Sequence, residues 1–343
     1  MKSGATSRPP RGRWDEINFS EGALKVRITS CCLKSAFASL VLATFSGPSA
    51  QATPQAIDLP GHRAFPESIT STADGSLYVS NIFEGGVLRV RNGKVEQWIA
   101  PGAFGSRSIY GVLADEKSGT LWLCSNDLTK YGMTTAGDPG SAVKGFDLTT
   151  GKGKVSARFP EESGTECNDL ATDKEGNLFV TDTDNPRVLR LAKGTQSLKV
   201  FVEDPRFKHK DGGPDGIAFA DDGTLYVNTF GGSSLFRIEV KGDHAGKVTK
   251  LKLSRPVSGT DGMRPISGNR FLMVDGQMNL NIVTMSGDTA NLKVLRAHLD
   301  GPTGVTLVDH TAWVAEGRFA FLEKPDQQPP LTFHLQPVAM PTE

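Results

Sequence analysis

The chain has 343 residues, with 38 basic side chains against 38 acidic ones. Balanced charge without basic blocks excludes the electrostatic footprint of a nucleic-acid-binding protein. Beyond residue 52 no apolar run approaches the roughly 18 residues that a membrane-spanning helix requires.

Residues 1–52 read differently from the rest. Arg8, Arg11, Arg13, Lys25, Arg27 and Lys34 precede an apolar run from Ala36 to Phe45, which Gly47 and Pro48 end. Ala50-Gln51-Ala52 then offers a small-x-small cleavage site. Such an order is that of a secretory signal peptide, so residues 1–52 are expected to leave and residues 53–343 to form one mature domain. Without a twin-arginine context, ordinary secretion to the periplasm or the exterior is expected.

The mature part is built on one repeated phrase: a polar residue at the mouth of a short strand, a glycine turn, and a second apolar strand. Glu67, Gly111, Asn168, Asp215, Asp261 and Thr303 open the six copies, at gaps of 44, 57, 47, 46 and 42 residues. Eight residues on come Gly75, Gly119, Gly176 and Gly223, then Asn269 and Thr311. Leu77-Tyr78, Leu121-Trp122, Leu178-Phe179, Leu225-Tyr226, Phe271-Leu272 and Trp313-Val314 follow in register. A period in the forties made of short strands predicts an all-β fold, a six-bladed β-propeller of four-stranded antiparallel blades around a central channel. One such sheet cannot hide both apolar faces, so neighbours must stack around an axis. Ala56–Leu59, or Leu331–Gln336 near the other end, is expected to complete blade six and close the ring.

Blade two carries the longest gap. A polar, glycine-rich stretch between Ser125 and Ser141 accounts for it, either as a binding loop over the mouth or as a tolerated surface insertion. Cys167 precedes the first strand of blade three, and Cys124 ends the second strand of blade two. Both open on one face, so they read as a disulfide across adjacent blades or as two separate buried thiols.

Six opening positions at one height around an axis converge on the channel. Glu67, Asn168, Asp215 and Asp261 carry oxygen donors, and three carboxylates aimed at one point need a cation. Oxygen-only donors suit calcium first, with magnesium, manganese or zinc as alternatives. Each could instead cap its own turn. Six histidines show no ligand spacing, and no Gly-x-Ser-x-Gly, His-Glu-x-x-His or phosphate-loop motif competes. Asn126, Asp182, Asp275 and Arg318 follow second strands and are candidate substrate contacts at the same mouth, with Glu166 beside them.

In Pro66-Glu67-Ser68, in Asn168-Asp169 with Asp173 and Gly176, and in Asp261-Gly262-Met263, the chain resembles the gluconolactonase, regucalcin and senescence-marker family of six-bladed propellers. The resemblance implies one divalent ion held by Glu67, Asn168, Asp215 and Asp261, with Asp261 as general base. It implies a hydrolase of lactones or related esters acting on a small molecule. A monomer is expected, and charge and hydropathy give no nucleic-acid partner and no membrane partner once the leader is cleaved. Two positions depart from the family pattern. Asp215 stands where Asn is usual, and Glu166 stands where sugar lactonases often carry a substrate-binding Arg. A non-catalytic propeller with a structural ion, binding a ligand or protein on its upper face, is the alternative reading.

Overall fold

The computed structural model describes residues 54–133, 135–161, 163–322 and 331–342. The leader expected over residues 1–52, with Cys31 and Cys32, lies outside them. Among the described residues the strands form six small sheets, each built on four antiparallel strands. No helix among them is long and apolar enough to cross a membrane.

Each blade begins with two strands near the axis and ends with an outer one, and the sequence pattern follows that position. The second strands, Leu77–Ser80, Thr120–Asn126, Leu178–Asp182 and Leu225–Thr229, are buried along their whole length. They are covered on both faces, so they read as continuous apolar runs rather than as alternation. The outer strand of blade one, Lys94–Ile99, is largely half-buried or exposed instead. Gly75, Gly176 and Gly223 join first to second strands at φ of 80°, 88° and 88°, a turn conformation that side chains resist.

The core is divided as the blades are. Six buried apolar clusters lie between neighbouring sheets. Phe179 of blade three meets Phe201 of the same blade edge-on at 4.8 Å and Phe219 of blade four at 5.1 Å. Between blades four and five, Tyr226 meets Phe271 at 5.3 Å. Such edge-to-face pairs each add about 0.5–1.5 kcal/mol beyond burial. No blade owns a core of its own, so the ring is stable only when closed.

Closure uses both chain ends. The sheet of blade six runs Pro302–Val308, Thr311–Glu316, Phe333–Ala339 and then Ile57–Leu59 at the outside. Ile57 pairs with Leu335 and Leu59 with Phe333. The two segments offered as alternatives from sequence therefore both serve.

Cys124 and Cys167 form a disulfide, with Cα atoms 5.1 Å apart, inside the cluster between blades two and three. Of the two readings open from sequence, the bridge is the one present.

Candidate functional site

The channel-facing side chains are aimed by irregularities in the first strands. Register shifts fall between Ile109 and Val112, Cys167 and Leu170, Pro214 and Ile217, and Thr260 and Met263. A bulge breaks the two-residue alternation and re-aims one side chain. Here it turns Tyr110, Asn168, Asp215 and Asp261 toward the axis. The following residue packs against the next blade, and a Cβ on Gly216 would fall 2.6 Å from the Asp261 carbonyl oxygen. A Cβ on Gly111 would likewise fall 2.3 Å from the Asn168 carbonyl oxygen. Gly111 thus occupies the packing position, and the ring residue of blade two is Tyr110, one residue earlier than the repeat register places it.

Glu67, Asn168, Asp215 and Asp261 line one cavity of about 340 Å³, together with Tyr110 and Glu166. All four are at least 92 % hidden from solvent, Asp261 being the most exposed at 8 %. The Asn168 amide donates to Asp215 Oδ2 at 3.3 Å. Gly262 N–H donates to Asp261 Oδ1 at 2.8 Å. Burial, then the charge of Asp215, raises the Glu67 carboxyl well above its ordinary range. Burial, then Asp261, does the same to Asp215; burial, then Glu67, does so to Asp261. Desolvated like charges resist ionisation together.

Glu67 Oε2, Asn168 Oδ1 and Asp215 Oδ1 are buried with no hydrogen-bond partner. Leaving such atoms unsatisfied costs about 1–3 kcal/mol apiece. No group of three or more His, Cys, Asp or Glu side chains among the described residues is gathered closely enough to hold an ion as it stands. The donor set here is mixed, with an amide beside the carboxylates. Unpaired oxygens on three blades, all in one cavity and all hard donors, fit a divalent cation of the calcium or magnesium kind.

The rim residues divide. Glu166 lines the cavity, and burial, with Asp184 adding to it, pushes its carboxyl up to about 7. Asn126 instead donates to the Cys167 carbonyl at 2.7 Å and accepts the Cys167 N–H at 3.0 Å. Both ends of its amide are thus spent on stapling blade two to blade three. Asp182 is fully buried and accepts from Glu166 N–H, Asn185 and Arg187 at 2.9–3.0 Å. Asp275, also fully buried, accepts from Gln277 N–H at 2.9 Å, Asn279 N–H at 3.1 Å and Asn281 at 2.9 Å. Arg318 pairs with Asp300 at 3.1 Å and donates to the Thr332 carbonyl at 3.0 Å. These four lie outside the residues lining the cavity.

Several cavity features escaped the sequence reading. Arg264 is buried beneath the ring and grips Asp169 with two hydrogen bonds of 2.6 and 2.9 Å. It also reaches Ser68 Oγ and the Val112 carbonyl, each at 3.2 Å. One guanidinium from blade five therefore ties blades one, two and three across the channel. Burial opposes its charge, yet Asp169 more than compensates and holds it raised. The blade-two insertion contributes Tyr131 to the cavity wall, and its Lys130 pairs with Asp184 of blade three at 3.0 Å. Its far side is pinned by buried Lys144, which contacts Asp138 at 2.6 Å.

No family model matches the chain. A Bacillus subtilis (strain 168) protein named sugar lactone lactonase YvrE is 37% identical over 75 residues, which are 21% of this chain and 26% of that protein. The matched segment therefore spans about a quarter of that relative's length. Among solved structures, the gluconolactonase XC5397 of Xanthomonas campestris superposes with a TM-score of 0.59 at 15% identity, covering 84% of this chain and 99% of that one. The calcium-binding protein regucalcin of Agrobacterium tumefaciens gives 0.56 at 17% identity, over 85% and 96% of the two chains. Virginiamycin B lyase of Staphylococcus aureus gives 0.57 at 15% identity, over 82% and 83%. The chain is thus similar to the gluconolactonase and regucalcin propellers that its motifs resemble, and its fold is the six-bladed propeller. A lyase is among the structures that superpose on the chain, so the reaction has to be argued from the site.

Proposed function

We propose that the chain is a divalent-cation-dependent hydrolase of lactones or related esters. The observation that carries this reading is the set of unpartnered oxygens on Glu67, Asn168 and Asp215, gathered beside Asp261 in one cavity. A divalent cation on these oxygens would polarise a lactone carbonyl and lower the carboxyl proton affinities that burial has raised. Asp261, ionised and fixed through Oδ1 by Gly262 N–H, takes the proton of the attacking water. Ring opening breaks the acyl C–O bond, and the leaving alkoxide takes from Asp261 the proton that came from water, giving a hydroxy acid. Tyr110 narrows the cavity opposite, where its hydroxyl is held protonated by burial and by the neighbouring Glu166 and Glu67. Calcium is the proposed ion, and one chain the proposed active unit.

Export belongs to the same reading. The Cys124–Cys167 bond supports an oxidising compartment, in keeping with the signal-peptide pattern of residues 1–52.

A panel of lactones and aryl esters, assayed with and without chelator beside metal analysis, tests the proposal. Turnover that chelator removes and Asp261→Asn abolishes is the expected result. Bound calcium without turnover on any member would overturn catalysis and leave a ligand-binding propeller.

A further inference from the structure

The acidic cavity does not end at the carboxylates. A second cavity of about 420 Å³ adjoins it, lined by Tyr110, Tyr131, Met133, Glu166, Phe319 and Leu322. Tyr110, Tyr131, Glu166 and Phe319 line both, so the two are continuous. Each falls within the roughly 300–1,000 Å³ of small-molecule sites. Their chemistry is opposite. One end gathers Glu67, Asn168, Asp215 and Asp261, whereas the other offers a thioether, a leucine and three aromatic rings, with Glu166 at the junction.

The apolar end is supplied by two segments that follow second strands. Tyr131 and Met133 come from the blade-two insertion, which Lys130, Lys144 and Asp138 hold in place. Phe319 and Leu322 come from the segment following the second strand of blade six, which packs against the core between blades six and one. Tyr131 is 58% exposed, and Lys130 Nζ stands 4.8 Å from the centre of its ring. An exposed aromatic beside an apolar hollow marks a surface meant to be covered. A polyhydroxylated ring placed there would bury hydroxyls against Met133, Phe319 and Leu322 without partners, which binding penalises.

We propose that the substrate is an amphipathic lactone or ester: its carbonyl meets the acidic ring, and its alkyl or aryl substituent lies between Tyr131 and Phe319. The inference rests on the hydrolase reading for its carbonyl end and on the adjoining cavity for its tail.

The test compares two measurements on the full chain in calcium. In the first, kcat/KM is measured for γ-butyrolactone, for the γ-lactone with a hexyl tail, and for gluconolactone. At about fourfold per buried methylene, partial burial of the tail should raise kcat/KM on the order of 100-fold over the bare ring. Tyr131→Ser and Phe319→Gln should each cut that ratio at least tenfold. In the second, 2-pyrrolidinone and its 5-hexyl derivative, lactams that resist hydrolysis, are titrated calorimetrically. The hexyl lactam should bind more tightly by a comparable factor, and Tyr131→Ser should erase the difference. Equal binding of both lactams, or turnover that favours gluconolactone over the hexyl lactone, overturns the inference. If the hexyl lactam binds preferentially but no lactone or ester is hydrolysed, the apolar subsite stands and the hydrolase reading falls.

Discussion

Burial and mutual repulsion raise the proton affinities of Asp215, Asp261 and Glu67, which ties stability to pH with a definite sign. Their native proton affinities lie above the ordinary values of 3.8 for Asp and 4.5 for Glu. The native state therefore binds more protons than the unfolded chain once pH passes those values. Their contribution is fully present below about pH 4 and is lost as pH rises through the raised values. Chelator-treated protein should accordingly melt lower at pH 8 than at pH 5.5, and calcium should raise the melting temperature more at pH 8. A melting temperature that calcium leaves unchanged at both pH values would refute the linkage. Arg264 makes a second prediction at the same scale. Asp169→Asn leaves a buried guanidinium without its counter-charge, which costs about 3–5 kcal/mol. Urea titration should show that loss, whereas a shift within 0.5 kcal/mol would deny the pair its role. Neither member was legible as a pair in sequence, because 95 positions separate them and only ring closure brings them together.

Elements explain which parts of the site could be read beforehand and which could not. The repeat was legible because each hairpin needs a turn and each second strand needs apolar residues on both faces. The slip in blade two has a simple cause. Its first hairpin, through Asp115 to Thr120, holds one residue more than that of blade three, so counting back eight from Gly119 lands on Gly111 rather than Tyr110. Sequence also located Asn126, Asp182 and Asp275 near the mouth but could not show how their polar atoms are spent. That depends on backbone groups such as Cys167 N–H and Asn279 N–H, which carry no side-chain signature. The insertion between Ser125 and Ser141 was recognisable as a loop, and its composition left its role open. Tyr131 and Met133 line the mouth because Arg107, Lys144 and Gly105 anchor the loop's other side. The disulfide belongs to this scale too. It links neighbouring blades across a sequence separation of 43, and closing such a loop stabilises by about 2–4 kcal/mol. Cys124→Ser with Cys167→Ser should lower the denaturation midpoint correspondingly, and an unchanged midpoint would show the bridge to be dispensable.

At the scale of the whole molecule, the site exists only because the ring is closed. Glu67 belongs to blade one, Asn168 to blade three, Asp215 to blade four and Asp261 to blade five, so no local segment contains the donor set. The outer strand Ile57–Leu59 seals blade six from the other end of the chain, which fixes blade one against it. The most direct test of the central claim is calorimetric titration of calcium into chelator-treated protein. The account predicts one site per chain in the wild type and no measurable site in Glu67→Ala combined with Asp261→Ala, with circular dichroism unchanged. Calcium binding that survives that double substitution, or no binding by the wild type, would contradict it.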